Sequence, residues 1–413
     1  MTTATDISDI QPSHEWEVFV IRNCEGIESI RKTWEKMQAE ESHPKINSDI
    51  DRYLTTIKAT NNHIEPYISV LKNKGQPLAI LIGLIDNRCL KCTIGRRTLF
   101  EPELRQLSVV YGGIIGKQTE QVSRLLVDEL MKELHRGKVD VVLFNFLQTD
   151  SPLYRIACET PGLLSRCYSP KIEVRWRMTL PENIDSFYQV LSRKHASNLR
   201  RLINRLERAY PNKVEVVTYR HLSELDTAIK AVSEISVTTY QYAYGLGIAD
   251  NHQTRYILSQ TAKLGRLQID ILYINGEPGA FQLATKYGNT YFGDKIGFNP
   301  KWEKFRIGTV LFLKVTEKLC ADPSVVYYDF GPGDAKYKSS YCDTKWTEGN
   351  VYIFAPRLYP VLVNLVLSAT STISMLTKKF VARLGFHNPV QQYRRKRILK
   401  KVQRANGKLG QLE

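Results

Sequence analysis

The sequence predicts an α/β protein made of two similar units in tandem, followed by an amphipathic and basic helical tail. Three observations lead there. The chain has 413 residues, more than a single hydrophobic core usually organises. An order of extended runs, amphipathic helix, buried strand and short helix occurs in the first half and again in the second. Beyond Phe354 the pattern breaks into an uncharged, largely apolar stretch and then a cluster of Lys and Arg. The boundaries expected from these breaks are 1–165, 166–356 and 357–413, with the two units joined near Leu163–Thr179.

The first unit opens on an extended run at Trp16–Ile21, followed by a helix whose apolar positions Ile27, Ile30 and Trp34 recur at helical spacing. Pro66–Leu71, Leu78–Ile85 and Leu107–Ile115 read as strands. Glu120–Leu134 places Val122, Leu125, Leu126, Leu130 and Leu134 on one helical face. Val139–Phe146 is apolar enough for a strand covered on both sides, and a short helix is expected from Ser151. In the second unit, long helices at Ile184–Arg208 and Leu222–Tyr240 come first. Leu267–Ile274, Gly279–Tyr287 and Thr290–Phe298 follow as a meander, the first two joined across Asn275-Gly276, a dipeptide suited to a tight hairpin. A helix at Gly308–Leu319, a strand at Val325–Phe330, a Gly/Pro loop and a short segment near Lys336–Tyr341 complete the order. In the tail, Leu358–Thr377 is a run of 20 uncharged residues, the minimum length of a membrane-spanning helix. As a helix it separates Leu362, Leu365, Val366, Ile373 and Leu376 from Asn364, Ser368 and Ser371, which favours an interfacial or protein-docked helix over a span.

Composition narrows the class. With 43% hydrophobic, 10% aromatic and 24% charged residues, the chain is an ordinary globular protein, which excludes a mainly disordered, collagenous or polytopic membrane chain. Its net charge of +16 is concentrated near one end: Arg357–Glu413 holds 12 Lys and Arg against one acid, leaving the body mildly basic. Met1–Ser13 has neither the basic start nor the apolar run of a secretory signal, so a cytoplasmic protein is expected. The 7 cysteines, an odd number, fit reduced thiols. Cys89 and Cys92 form a C-x-x-C, but no second pair or nearby His completes a zinc site, and no metal is expected.

Familiar catalytic signatures are missing. There is no P-loop, no H-E-x-x-H, no G-x-S-x-G and no G-x-G-x-x-G after a strand, which weighs against P-loop, zinc-peptidase, α/β-hydrolase and Rossmann chemistry. Two constellations remain. One is the strand ending Gly297-Phe298, a loop, and a helix opening at Arg306-Ile307-Gly308-Thr309. A helix N-terminus offers unpaired N–H groups and a positive dipole end to a diphosphate, Gly308 lets the ligand approach, and Arg306 adds charge. Taken alone, the stretch reads first as a plain turn with Thr309 near the cap. The other is Tyr328-Asp329-Phe330-Gly331-Pro332-Gly333-Asp334, followed by Tyr337, Lys338 and Tyr341. A strand meeting a Gly-Pro-Gly turn would present Asp329 and Asp334 at the sheet's edge, where α/β folds place ligands. The same residues also build turns without any function.

Thr290–Leu313, TYFGDKIGFNPKWEKFRIGTVLFL, together with YDFGPGDAKYK at Tyr328–Lys338, resembles the CelD-like branch of the GNAT acyltransferase superfamily. The shared features are a tyrosine-rich strand, a G-F/Y-x-P turn, a small-residue helix start followed by leucines, and a D-F-G-x-G-D-x-Y-K run. The tandem organisation over about 16–354 is similar to that branch and to its FemABX-type relatives. The resemblance implies tandem GNAT-like domains, each a mixed, mostly antiparallel sheet flanked by helices, and an acyl-CoA-dependent N- or O-acyltransferase. The co-substrate would be acetyl-CoA or another acyl-CoA, its pantetheine beside Ile296, Gly297 and Phe298 and its diphosphate at Arg306, Ile307, Gly308 and Thr309. The superfamily's Q/R-x-x-G-x-G/A loop corresponds here to Glu303-Lys304-Phe305-Arg306-Ile307-Gly308, which keeps only the final glycine.

In a direct transfer, an acceptor amine or hydroxyl attacks the thioester while a base takes its proton and an acid protonates the thiolate. On the resemblance, Asp294 is the first candidate base and Asp329 the second, either needing a pKa raised by burial. Tyr337 is the candidate acid, and Lys338 a phosphate or acceptor ligand. Ser192–Arg201 opens a basic helix with Arg201, Arg205 and Arg208 on one face, suited to an anionic ligand or to plain solvation. His195 is a further base candidate on that helix. The expected acceptor is a small molecule or saccharide: a sugar, polysaccharide precursor or lipid-linked group. Residues 358–404 would make peripheral contact with an anionic membrane on its inner face. The alternatives are a FemABX-like aminoacyl-tRNA-dependent transferase, with tRNA as the partner, and a non-catalytic tandem scaffold. The first unit, where no glycine directly precedes the helix start, is expected to be a degenerate copy.

Overall fold

The computed structural model describes residues 15–43, 45–60, 63–95, 97–168, 170–239, 242, 247–335 and 337–383. The chain divides into two compact units, the first running to Ile172 and taking in Glu348–Ser374, the second formed around Glu173–Thr347. One strand, Thr344–Phe354, therefore begins in the second unit and ends paired within the first, and the first unit runs on past residue 356.

The sheet of the first unit contains β1 (Trp16–Ile21), β2 (Glu65–Asn73), β3 (Gln76–Cys89), β6 (Glu103–Gly116), β7 (Val141–Gln148) and β14 (Thr344–Phe354), in that spatial order. All neighbours are antiparallel except β6 and β7, which run parallel from Gln106↔Val141 to Val109↔Phe144. A separate hairpin is formed by β4 (Cys92–Ile94) and β5 (Arg97–Phe100). Cys89 ends β3 and Cys92 begins β4, both as free thiols. Helices α1 (Cys24–Ser29), α2 (Arg31–Ala39) and α3 (Ile50–Ala59) cover one face, and α4 (Glu120–His135) and α5 (Pro152–Glu159) the other. Strand β3 shows why its sequence is nearly all apolar: Ala79, Leu81 and Ile85 enter the α4 side of the core, Ile80 and Ile82 the α3 side.

The second unit repeats this plan. Its strands are β8 (Lys171–Thr179), β9 (Val214–Tyr219), β10 (Leu267–Ile274), β11 (Glu277–Tyr287), β12 (Thr290–Phe298) and β13 (Tyr327–Pro332), with spatial order β8-β13-β12-β11-β10-β9. Only β12 and β13 are parallel. The same face as Leu272, Ala280, Ala284 and Tyr291 is covered by α6 (Ile184–Gln189), α7 (Arg193–Ala209) and α10 (Ile307–Cys320). Ile269, Ile271, Phe281 and Leu283 face α8 (Leu225–Ser236) and α9 (His252–Lys263). A one-turn helix, α11 (Lys338–Tyr341), follows β13, and α12 (Leu358–Arg383) ends the described chain. Both units are thus mixed, mostly antiparallel sheets flanked by helices, as the resemblance implies.

Two hairpins occupy the same place in the two sheets and are built alike. Lys74-Gly75 joins β2 to β3 with φ of 50° and 77°, and Asn275-Gly276 joins β10 to β11 with φ of 55° and 78°. Two consecutive positive φ values twist the turn with the strands, and glycine takes the second at no steric cost. The long helix expected at Ile184–Arg208 is interrupted, because the Ser192 hydroxyl accepts from the His195 N–H at 3.3 Å and starts α7 afresh. The short segment expected from Lys336 begins, as a helix, at Lys338, Lys336 itself lying outside the described residues.

Candidate active site

The parallel pairing of β12 and β13 lasts only three residues, Thr290↔Tyr327, Tyr291↔Tyr328 and Phe292↔Asp329. Beyond it β12 runs on to Phe298 beside β11 while β13 turns away through Gly331 and Gly333, with φ of 69° and 102°. Glycines stand on both sides where the strands part. A Cβ on Gly331 would lie 3.9 Å from the Gly293 carbonyl, and one on Gly293 would lie 3.2 Å from the Tyr328 hydroxyl. At the same level β12 carries a bulge: Leu283 pairs with Lys295 and Ala284 with Gly293, so Asp294 is the extra residue. A bulged residue leaves the ladder and bends its strand.

Strand β12 leads through a short 3-10 turn into α10. Arg306 occupies the N-cap in the left-handed region, φ 52° and ψ 45°, and its carbonyl accepts from Thr309 and Val310 at 2.8 and 3.2 Å. Among the described residues no side chain caps this end, and no acidic residue lies in its first turn. The cap is therefore Arg306, one turn earlier than the position near Thr309 that the sequence suggests. Helix geometry leaves the first N–H groups, those of Ile307 and Gly308, without intrahelical partners. Gly308 is roomy: a Cβ there would meet only the Phe298 ring, at 3.6 Å. Ile307 itself is a core residue, while Arg306, Ile296 and Phe298 are exposed. Gly297 is packed from behind, where a Cβ would come within 2.5 Å of the Phe281 ring.

The four acid–base candidates fare differently. Asp294 sits on the bulge at the strand opening, exposed, with its Oδ2 accepting from the Thr285 hydroxyl at 2.7 Å. The burial expected to raise its pKa is absent. Asp329 is 2% exposed, but its charge is already engaged: Arg175 Nε donates to both carboxylate oxygens at 3.2 Å, and Oδ1 also accepts from the Gly331 N–H at 2.8 Å. It does not lie bare at the sheet edge as the turn sequence suggests. Lys338 is likewise committed, since its ammonium donates to the carbonyls of Phe330, Gly331 and Pro332 at 2.9, 3.0 and 3.0 Å. All three of its protons hold the end of β13, which leaves none for a phosphate. Burial pushes the Lys338 pKa down, partly opposed by Asp329. Tyr337 is 45% exposed at the N-cap of α11, with its ring 6.3 Å from that of Phe330.

Other expected residues lie away from this opening or are used in packing. His195 stacks on Tyr341 at 5.6 Å, and Arg205 lies over Phe305 at 5.4 Å. Arg201 and Arg208 are exposed on α7. Asp334 accepts from the Trp176 indole N–H at 3.2 Å.

Sequence reasoning missed a buried polar chain that ends at the root of the opening. Asp270, fully buried on β10, accepts from Thr218 at 2.6 Å, Gln268 at 2.8 Å and the Tyr291 hydroxyl at 3.3 Å. Gln282 Nε2 donates to the hydroxyls of Tyr291 and Tyr328 at 3.1 and 2.6 Å. Burial raises the pKa of both tyrosines well above the ordinary range, so both stay protonated. The signal was present as polar residues inside apolar strands, LQIDILYI and GAFQLAT, where an unpaired polar group would be costly. Arg175 was missed for a similar reason: in KIEVRWRMT it reads as a surface charge.

The matching place in the first unit is closed. Past Val109↔Phe144, the Asn145 amide donates to the Val109 carbonyl at 2.8 Å, and Tyr111 packs edge-on against Phe146 at 5.9 Å. The following helix, α4, is capped by its own Thr119, whose hydroxyl accepts from Val122 N–H at 3.3 Å, with Glu120 in the first turn. An acid there opposes a second anion.

Comparison with known proteins agrees with this fold. Residues 193–339, which contain β9–β13 and α10, match the model of the family described as an acetyltransferase (GNAT) domain. The fold is similar to the crystal structure of FemX, with a TM-score of 0.53 at 10% identity, covering 82% of this chain and 98% of that one. It is also similar to a tandem GNAT protein from the clavulanic acid biosynthesis pathway, with a TM-score of 0.50 at 11% identity, covering 83% of this chain and 100% of the other. None of the curated proteins matches the sequence. The second unit carries a GNAT domain, and the chain as a whole has the tandem GNAT fold.

Proposed function

We propose that this protein is an acyl-CoA-dependent N- or O-acyltransferase of the GNAT type, working by direct transfer in its second unit. The carrying observation is the juxtaposition of a parallel strand pair that parts at Phe292↔Asp329, a bulge at Asp294, and the uncapped N-terminus of α10 at the end of the same strand. The donor set fits a thioester with a diphosphate tail. The N–H groups of Ile307 and Gly308 and the Arg306 guanidinium would hold the diphosphate, and the open space at Gly308 admits it. Ile296, Gly297 and Phe298 would lie along the pantetheine. The bound acyl-CoA supplies an activated acyl carbon and a thiolate leaving group. Asp294 is the proposed base for the acceptor's proton and Tyr337 the proposed acid; Asp329 and Lys338 hold the frame. The acceptor class proposed is a sugar, polysaccharide precursor or lipid-linked group.

Calorimetry with acetyl-CoA on the intact protein and on Gly308→Trp tests the reading. Micromolar binding that disappears in the variant supports it. No binding to the intact protein, or equal binding to the variant, overturns it. Should the site hold acyl-CoA, Asp294→Asn is expected to lower turnover by about 10²-fold or more at unchanged acetyl-CoA affinity.

The exposed Arg201 and Arg208 on α7 favour one second reading, an aminoacyl-tRNA-dependent transferase. Binding to tRNA would then fall steeply with salt, whereas the acyl-CoA site would respond much less.

A further inference from the structure

Helix α12 is amphipathic in the reverse sense to an ordinary surface helix. Several of its polar side chains face the protein: Asn364 is 1% exposed and its amide donates to the carbonyls of Leu164 and Arg166 at 3.1 and 2.9 Å. Thr370 is buried, and Ser374 donates to the Thr93 carbonyl at 2.9 Å while accepting from the Gly95 N–H at 3.2 Å. The outward face is mainly apolar. Leu362, Leu365, Val366, Ile373, Leu376 and Phe380 follow at helical spacing and are all exposed, Leu365 at 53% and Phe380 at 64%. The two segments to which the helix is hydrogen-bonded add exposed Leu163, Leu164, Leu99 and Phe100. Water is the wrong solvent for such a surface.

We propose that α12 is an interfacial helix that lays the first unit on an anionic lipid surface. The charge that follows it decides the occupant. From Lys378 to Glu413 the sequence has 11 Lys and Arg against one acid; of these, the run Arg394-Arg395-Lys396-Arg397 with Lys400 and Lys401 lies outside the described residues. A polybasic segment next to an exposed apolar helix complements acidic headgroups, and it would set two copies of this chain against each other. The stretch Leu358–Thr377 is long and apolar enough to cross a bilayer. Crossing would strip Asn364 and Ser374 of their partners and place them in hydrocarbon, so the helix lies in the interface and does not span.

Flotation of the full chain with vesicles of phosphatidylcholine, with and without phosphatidylglycerol, is the test. The expected result is binding to the anionic vesicles at low salt, weakened about tenfold or more by Leu362→Gln/Leu365→Gln/Ile373→Gln, with melting temperature and acetyl-CoA binding unchanged. These side chains are exposed, so folding does not depend on them. A wild-type chain that stays unbound at low salt overturns the proposal. So does a triple variant that floats as well as the parent, which would assign binding to the basic residues alone. Sedimentation as a dimer that the triple variant dissociates, without lipid binding, would assign the face to a second copy. The acetyl-CoA readout keeps this outcome separate from that of the proposed activity.

Discussion

Replacing Asp329 by Asn separates a structural carboxylate from a catalytic one. In the folded protein Arg175 and Asp329 are both buried, with side chains 7% and 2% exposed, and Arg175 Nε donates to both carboxylate oxygens. Asn keeps the acceptor for the Gly331 N–H and removes only the charge beside the buried Arg175 guanidinium. Breaking a buried pair in this way costs about 3–5 kcal/mol. For a unit of this size each kcal/mol is worth about 2–4 °C, so the melting temperature of the second unit is expected to fall by about 10 °C. Trp302, buried in that unit's core, reports the transition by fluorescence. The charge-free pair Arg175→Met/Asp329→Leu is expected to recover most of the loss, because apolar replacements of a buried pair are often neutral or stabilising. The reasoning is refuted if Asp329→Asn unfolds within about 1 kcal/mol of the parent while acyl transfer drops about 10²-fold at constant acetyl-CoA affinity.

Gln282→Leu should destabilise the second unit by about 2 kcal/mol or more in urea unfolding, since the hydroxyls of Tyr291 and Tyr328 lose their donor inside the core. Gly308→Ala, with open space around it, is expected to leave stability unchanged or raise it by up to about 1 kcal/mol, whereas Gly297→Ala forces its Cβ into the Phe281 ring and costs about 1–3 kcal/mol. The Asp322 carboxyl, held by Lys286 and Ser324 at 2.5 Å each, is pushed down to about 2 from 3.8. Its folded pKa lies below the unfolded one, so its contribution is present above about pH 4 and is lost as pH falls toward 2. The wild type should therefore exceed Asp322→Asn in thermal stability at neutral pH, by about 1 kcal/mol or less after solvent screening, and the two should converge near pH 2.

The repeat was legible because period and polarity are local properties. Strands such as Leu267–Ile274 and Thr290–Phe298 stand in the structure with the bounds their apolar patterns predict. What escaped were elements whose residues look wrong for their place. Strand β8 carries Lys171, Arg175 and Arg177 within nine residues, and its inward arginine makes sense only beside Asp329, 154 positions away. The segment Thr344–Phe354, whose second half belongs to the first unit, follows a loop like any connector. At the candidate site, the helix start and the glycines were readable from turn chemistry. The bulge at Asp294 was not, since register belongs to two strands at once. Asp329 and Lys338 have partners that the sequence did not show, because a chemically capable side chain says nothing of the groups that occupy it.

The two units show how one plan yields an open site and a closed one. The residue two places past the last parallel pair takes a positive φ in both, Phe146 at 53° and Gly331 at 69°. In the second unit it is glycine, which reaches that conformation without strain and projects nothing into the gap. In the first it is phenylalanine, which accepts the strain, anchors its N–H on the Asn350 side chain at 2.9 Å and packs on Tyr111. The strand before the helix also breaks register at the same level in both sheets, by one residue at Asp294 and by three between Val109 and Ile114. Kinked backbone is therefore common to the units, and side chains decide whether it encloses space. A capped helix start, an amide across the gap and an aromatic plug spend the first unit's irregular backbone on stability. The second unit keeps its irregular backbone open by omitting all three, and a fold gains nothing from that omission unless something binds there.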